Sequence, residues 1–131
     1  VDLRPAFYFL ADSSYVPGSN NNAAIDRLET FADVFVNGPL AGGWASPWSP
    51  SGLGQLSERM LYDDGTHGDA VAGDTIYTWQ TTRPAGTERL TTFKFGLDGY
   101  DNENPAGADH RLTIPDEAAL QQFARDFRPG V

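Results

Sequence analysis

The chain has no cysteine, a single lysine among nine basic residues, and no apolar run approaching the roughly 20 residues that cross a bilayer. Each absence closes a class of function. Without cysteine there are no disulfides, no thiolate metal sites and no Cys nucleophile. With no basic cluster and a net charge of -9, the molecule repels phosphate backbones and anionic lipid surfaces. Nucleic acid and membrane insertion are therefore not expected, and neutral ligands, neutral polymers or cations are. No phosphate-cradling glycine loop ending in Lys-Ser/Thr occurs, and no serine sits in a nucleophile elbow. The carboxylates cluster in glycine-rich turns, where solvation keeps them ionised and of little use as general acids, so the chain is not expected to be an enzyme. The opening residues show neither the charged region nor the continuous apolar core of a signal peptide. Any export signal is expected upstream or already removed, and the chain is read as a mature protein or an excised module.

What is present suits one packed β-domain. The 131 residues allow a single core, and 40% hydrophobic residues with 3 Trp, 5 Tyr and 8 Phe supply it. Fourteen glycines and nine prolines imply many turns, hence many short strands. Strand-like runs are Phe7 to Leu10, Asp33 to Asn37, Arg59 to Tyr62, Thr75 to Thr81, Leu90 to Leu97 and His110 to Ile114. Ala23 to Thr30 offers one or two helical turns. Six or seven short strands separated by turn signals predict an all-β antiparallel sandwich over residues 1–115. Residues 116–131 depart from this. Leu120, Phe123, Ala124 and Phe127 fall at i, i+3, i+4 and i+7 after Pro115-Asp116, which predicts a short amphipathic C-terminal helix or a linker to a neighbouring module.

Two loops concentrate polar chemistry. Between Tyr62 and Tyr77, the carboxylates of Asp63, Asp64, Asp69 and Asp74 fall within twelve residues. They repel one another unless a cation or backbone N–H donors compensate, and hard oxygen ligands of this kind select Ca²⁺. The spacing is not that of an EF-hand, and Asx-turns capping a hairpin are the alternative. His67 and His110 lie far apart without an evident carboxylate partner, so both read as surface residues rather than zinc ligands.

The second loop, Pro39 to Gly54, carries Trp44 and Trp48 among glycines and prolines. Flat exposed aromatics are platforms for the apolar C–H face of a sugar ring, while amides and carboxylates bond its hydroxyls. Alternatively, one or both rings fold back as core. If Phe93 and Phe95 face the core, Lys94 lies on the outer face near the Asp101-Asn102-Glu103-Asn104 loop. There it either supplies the polar half of a binding site or pairs with an acid on a solvated hairpin.

The succession Val34 to Trp44, Leu61 to Thr78, Phe93 to Gly96 and Asp101 to Ile114 resembles a known family. Its most specific part is the D-D-G-x-x-G-D-x-x-x-G-D-x-x-Y stretch from Asp63 to Tyr77. It is similar to the immunoglobulin-like early-set and starch-binding-type domains of secreted bacterial proteins, including the choice-of-anchor X type. The resemblance implies an immunoglobulin-like β-sandwich of about seven strands, export or surface display, and attachment to a larger polysaccharide-acting or anchored polypeptide. In starch-binding relatives the platform combines a Trp after a turn, a Lys on a Y-K-F strand, and a W-E pair with a downstream Asn. Trp44 and Lys94 match. The W-E position is held by the Asp101–Asn104 loop without a Trp, and Tyr100 could substitute. The expectation is thus a non-catalytic carbohydrate-binding module of a secreted or cell-surface bacterial protein, using Trp44, Trp48, Lys94, Tyr100, Asn102 and Asn104. The rival is a structural or adhesive spacer stabilised by calcium at Asp63, Asp64, Asp69 and Asp74.

Overall fold

The computed structural model describes residues 1–2, 32–84, 86, 89–101, 103, 109–115 and 121–128. Regular structure there is mostly strand, with short 3₁₀ turns at Pro39–Ala41, Leu53–Gln55 and Ser57–Arg59. Four strands form one open antiparallel sheet: β1 (Val34–Asn37), β2 (Met60–Leu61), β3 (Leu90–Leu97) and β4 (His110–Thr113), in the order β2-β1-β3-β4. The strand-like runs around these four segments thus appear as strands. The Phe7 to Leu10 run and the Ala23 to Thr30 turns lie outside the described residues.

The register follows from alternation. Val34 pairs with Leu97 and Leu61, Val36 with Phe95, and Thr91 with Leu112, so these side chains share one face. Val34, Val36, Leu61, Phe93, Phe95, Leu97 and Leu112 are all buried in one cluster, joined by Phe127. Phe35 and Asn37, paired with Gly96 and Lys94, point to the opposite face. That face is buried too, because the loop from Trp44 to Gln55 folds across it. Gly96 is where the loop lies closest. A Cβ there would meet the Tyr100 carbonyl oxygen at 2.5 Å and Trp48 Cζ3 at 3.2 Å, so only glycine leaves room for the indole.

Beyond Phe93, where β4 ends, β3 is completed by a side chain. Glu103, fully buried, accepts the Phe95 N–H through Oε2 (2.8 Å), and through Oε1 accepts His110 Nε2–H (2.8 Å) and the Arg128 N–H (3.1 Å). Arg128 Nε lies 3.5 Å from the same oxygen. One carboxylate thus ties together β3, β4 and the C-terminal segment. His110 is accordingly not a free surface residue as its sequence context predicted. Its ring stacks on Phe93 with centroids 5.2 Å apart.

Two expectations are corrected. Thr75 to Thr81 is no continuous strand: it makes isolated bridges, Ile76 with Asp2 and Thr78 with Tyr62. Nearby aspartates accept the backbone N–H groups of Asp74, Thr75 and Ile76, removing them from any ladder. The predicted C-terminal helix falls partly on residues 116–120, outside the described residues, and its described portion is not helical. Asp2 donates its N–H to the Arg125 carbonyl (2.9 Å) and accepts the Phe127 N–H (3.0 Å), a parallel bridge that holds the segment extended. Phe127 enters the core while Phe123 stays 44% exposed. A helical stripe would have buried both, and pairing with Asp2 overrides the local amphipathic pattern.

Candidate functional site

The Asn37-Gly38 turn at the end of β1 starts the Trp loop. Gly38 adopts φ 119°, and a Cβ there would crowd the Thr92 carbonyl oxygen (2.9 Å) and Trp44 Cη2 (3.2 Å). The turn closes on itself, with the Ala41 and Gly43 N–H groups donating to the Gly38 carbonyl. The chain then reaches Trp44 with a backbone gripped on both sides. Asn37, fully buried, accepts the Ala45 N–H at Oδ1 (2.8 Å) and donates Nδ2–H to the Ala45 carbonyl (3.0 Å). Its Oδ1 also accepts the Gly38 N–H (2.9 Å) and Arg59 Nη1–H (2.7 Å). Arg59 Nη1 in turn donates to the Gly43 carbonyl (2.7 Å). Gly43 and Ala45, the two neighbours of Trp44, are therefore fixed by one buried amide and one guanidinium.

By residue type Asn37 reads only as a turn residue and Arg59 only as the first residue of a strand-like run; the structure places Arg59 in the 3₁₀ turn before β2. Position carries the missing signal: Asn37 ends a strand whose residues Val34 to Val36 are all apolar, so its amide enters the interior and must find partners there.

Held in this way, Trp44 remains 46% exposed. Trp48 lies half-buried beside it, with centroids 6.1 Å apart and planes inclined by 41°. Lys94 shares this place but not in the expected state. It lies on the face opposite Phe93 and Phe95, yet it is only 3% exposed, so the solvated outer hairpin is ruled out. Its Nζ sits 5.7 Å from the Trp48 ring centroid and bonds Asp101 Oδ1. Burial of an ammonium requires such compensation, and the indole face and the carboxylate supply it. Tyr100 is half-buried, with its backbone over Gly96. The structure thus brings Trp44, Trp48, Lys94 and Asp101 into one cluster adjoining Tyr100. Asn102 and Asn104 lie outside the described residues.

The aspartate loop is built differently. Asp63 accepts the N–H groups of Asp74 (3.1 Å) and Thr75 (3.0 Å), Asp69 that of Gly65 (2.8 Å), and Asp74 that of Ile76 (2.9 Å). One ligand oxygen from each of Asp63, Asp69 and Asp74 lies within 4.8 Å of the others. Asp64 is not in this group. It closes an Asx-turn on Thr66, accepting both the backbone N–H (2.9 Å) and Oγ1–H (2.6 Å), and those bonds hold its pKa below the usual carboxylate value. Carboxylate oxygens keep further lone pairs after accepting one N–H, so the triad's donor set fits a hard cation such as Ca²⁺ while serving as backbone caps. Tyr77, at the loop's exit, has its pKa raised by burial and by the charges of Asp63 and Asp33. His67 stays exposed and stacks on Tyr62 at 3.8 Å.

Among the described residues no helix is long and apolar enough to cross a membrane. No protein-family model, no curated protein and no solved structure matches this chain.

Proposed function

We propose that the chain is a non-catalytic carbohydrate-binding module of a secreted or cell-surface bacterial protein. Its sheet would form part of an immunoglobulin-like sandwich, and its working surface is the Trp44–Trp48 shelf. One observation carries the reading: a tryptophan 46% exposed, beside a second, on a loop whose backbone is anchored by buried Asn37 and half-buried Arg59. An exposed indole held in place costs hydration without aiding the core, and its flat face suits the C–H face of a pyranose. The net charge of -9 favours neutral glycans over anionic polymers. Lys94 acts here by supporting Trp48 from beneath, its ammonium already committed to Asp101.

The test is retention on insoluble glucan, xylan and galactan. Trp44→Ala should abolish retention and leave the melting temperature within about 2 °C, as expected for an exposed side chain. Unchanged retention would sink the reading.

A second reading is favoured by the convergence of Asp63, Asp69 and Asp74: a calcium-stabilised structural or adhesive spacer between neighbouring modules. A ligand bound only by the folded state raises stability by mass action. Melting curves indifferent to both Ca²⁺ and chelator would remove it.

A further inference from the structure

The Pro39 to Gly42 stretch of the turn borders an open cleft of about 330 Å³, lined among others by Leu40, Glu58, Trp79, Thr81, Thr82 and Arg83. Trp79 is half-buried against the core cluster, and its Nε1–H is spent on the Glu58 carbonyl (2.8 Å). That bond, together with the packing against the core, limits the movement of the ring, and Trp79 adds apolar surface to the lining of the cleft. Around it stand the exposed carboxylate of Glu58 and the exposed hydroxyls of Thr81 and Thr82. Arg83 Nη1–H donates to the Leu40 carbonyl (3.3 Å), tying the far wall to the turn.

We propose that this cleft is a second sugar subsite, receiving a pyranose unit of the same neutral glycan chain that crosses the Trp44–Trp48 shelf. The inference rests on the carbohydrate reading. Its chemistry is that of a sugar ring: one apolar face to stack, and hydroxyls around the rim to meet a carboxylate and two hydroxyls. The volume, at the lower end of small-ligand sites, limits the occupant to a short stretch of chain. Geometry links the two subsites. Glu58 and Arg59 are consecutive, the first lining the cleft and the second gripping Gly43 and Asn37 beside Trp44. Neighbouring residues of one segment thus contact the two sites, Glu58 at Trp79 and Arg59 at the backbone beside Trp44. Linked subsites bind a spanning chain more tightly than either binds a fragment, because the second contact is intramolecular.

The three tryptophans of the chain are Trp44, Trp48 and Trp79, so an ¹⁵N-labelled sample gives three indole N–H signals, each assignable by substitution. The probes are cello-, xylo-, malto- and β-1,4-galacto-oligosaccharides, each as dimer and hexamer. The expected result is a shift of both the Trp44 and Trp79 signals with one hexamer, and at least tenfold weaker binding of the matching dimer. Because Trp79→Ala would also open the core, the variant is Glu58→Gln with Thr82→Val, both exposed. It should weaken hexamer binding about tenfold and preserve the Trp44 shift. A Trp44 shift with a silent Trp79 overturns the subsite and leaves the shelf standing. A Trp79 shift with a silent Trp44 overturns the spanning chain together with the shelf, and leaves the cleft as a lone sugar site. Silence at both signals with every probe overturns both. A Trp79 shift produced by a proline-rich decapeptide and by no sugar also overturns the subsite, since it would mark a peptide groove.

Discussion

The Trp loop and the aspartate loop are both rich in glycine, and both lie almost free of regular structure, but they are fastened by opposite means. In the first, the fastening groups come from outside the loop: buried Asn37 ends β1, and half-buried Arg59 lies 22 residues further along the chain. In the second, the fastening groups are the loop's own carboxylates, each closing on N–H groups within the same segment. External fastening leaves the loop's large side chain, Trp44, free to meet a ligand. Internal fastening occupies part of the bonding capacity of the polar groups that define the loop. A dense run of chemically capable residues is therefore a weaker sign of a binding surface than one exposed aromatic whose backbone is held from below.

The sharpest way to break the contrast is Asn37→Ala. It strands the buried Gly38 N–H and, at part-buried positions, the N–H and carbonyl of Ala45 and one Arg59 donor, and should cost about 3 kcal/mol. The melting temperature should fall by roughly 10 °C, and the Trp44 indole signal should broaden or move. Asn37→Asp keeps the Oδ1 acceptor and should recover part of both. A full-length melting curve unchanged by Asn37→Ala would mean the loop is not held from below.

Asp69→Ala probes the internally fastened loop. Losing the acceptor for Gly65 should cost about 1–2 kcal/mol. If the triad holds Ca²⁺, the wild type gains about 2.7 kcal/mol at a hundredfold excess over Kd, and Asp69→Ala gains nothing. Equal calcium responses in the two proteins would place the ion elsewhere.

Smaller effects come from titration. The raised pKa of Tyr77 means that its stabilising contribution is complete below the unfolded value near 10. It is lost as pH climbs through the higher folded value. Tyr77→Phe should flatten this alkaline decline in stability, read by chemical denaturation from pH 8 upward. Asp64 runs the other way. Its pKa is lowered, chiefly by the Thr66 hydroxyl and then by the Thr66 N–H, so its contribution holds above the ordinary carboxylate value and vanishes as pH falls through the folded value. Asp64→Asn should shift the melting temperature at neutral pH by less than about 2 °C and remove this acid dependence.

Local pattern made much of the sheet legible. The alternation of Leu90 to Leu97 marks β3 at its observed bounds, and the apolar run ending in Asn37-Gly38 marks β1 and its turn. What periodicity could not show is competition between distant groups. Asp63 and Asp74 take N–H groups from the Thr75 to Thr81 run, and Asp2 pulls the end of the chain out of a helix. The site divides in the same way. Trp44, Trp48 and Lys94 were readable as candidates from residue type, and the structure brings them together. The buried state of Lys94 and the separation of Asp64 from the other aspartates were not readable, because both depend on which partner reaches them first. The roles of Asn37 and Arg59 in holding the loop are not legible in the sequence, because they lie in contacts that no short window spans.

The buried carboxylate of Glu103 has one more consequence, for the company this molecule keeps. A strand that outruns its neighbour presents bare amides, and bare amides recruit strands from other chains. By accepting the Phe95 N–H where β4 stops, Glu103 occupies the place an intruding backbone would take, and it does so with a negative charge that has His110 and Arg128 for escort. This stretch of β3 is closed to lateral growth, which lowers its tendency to pair edge to edge with a strand of another chain.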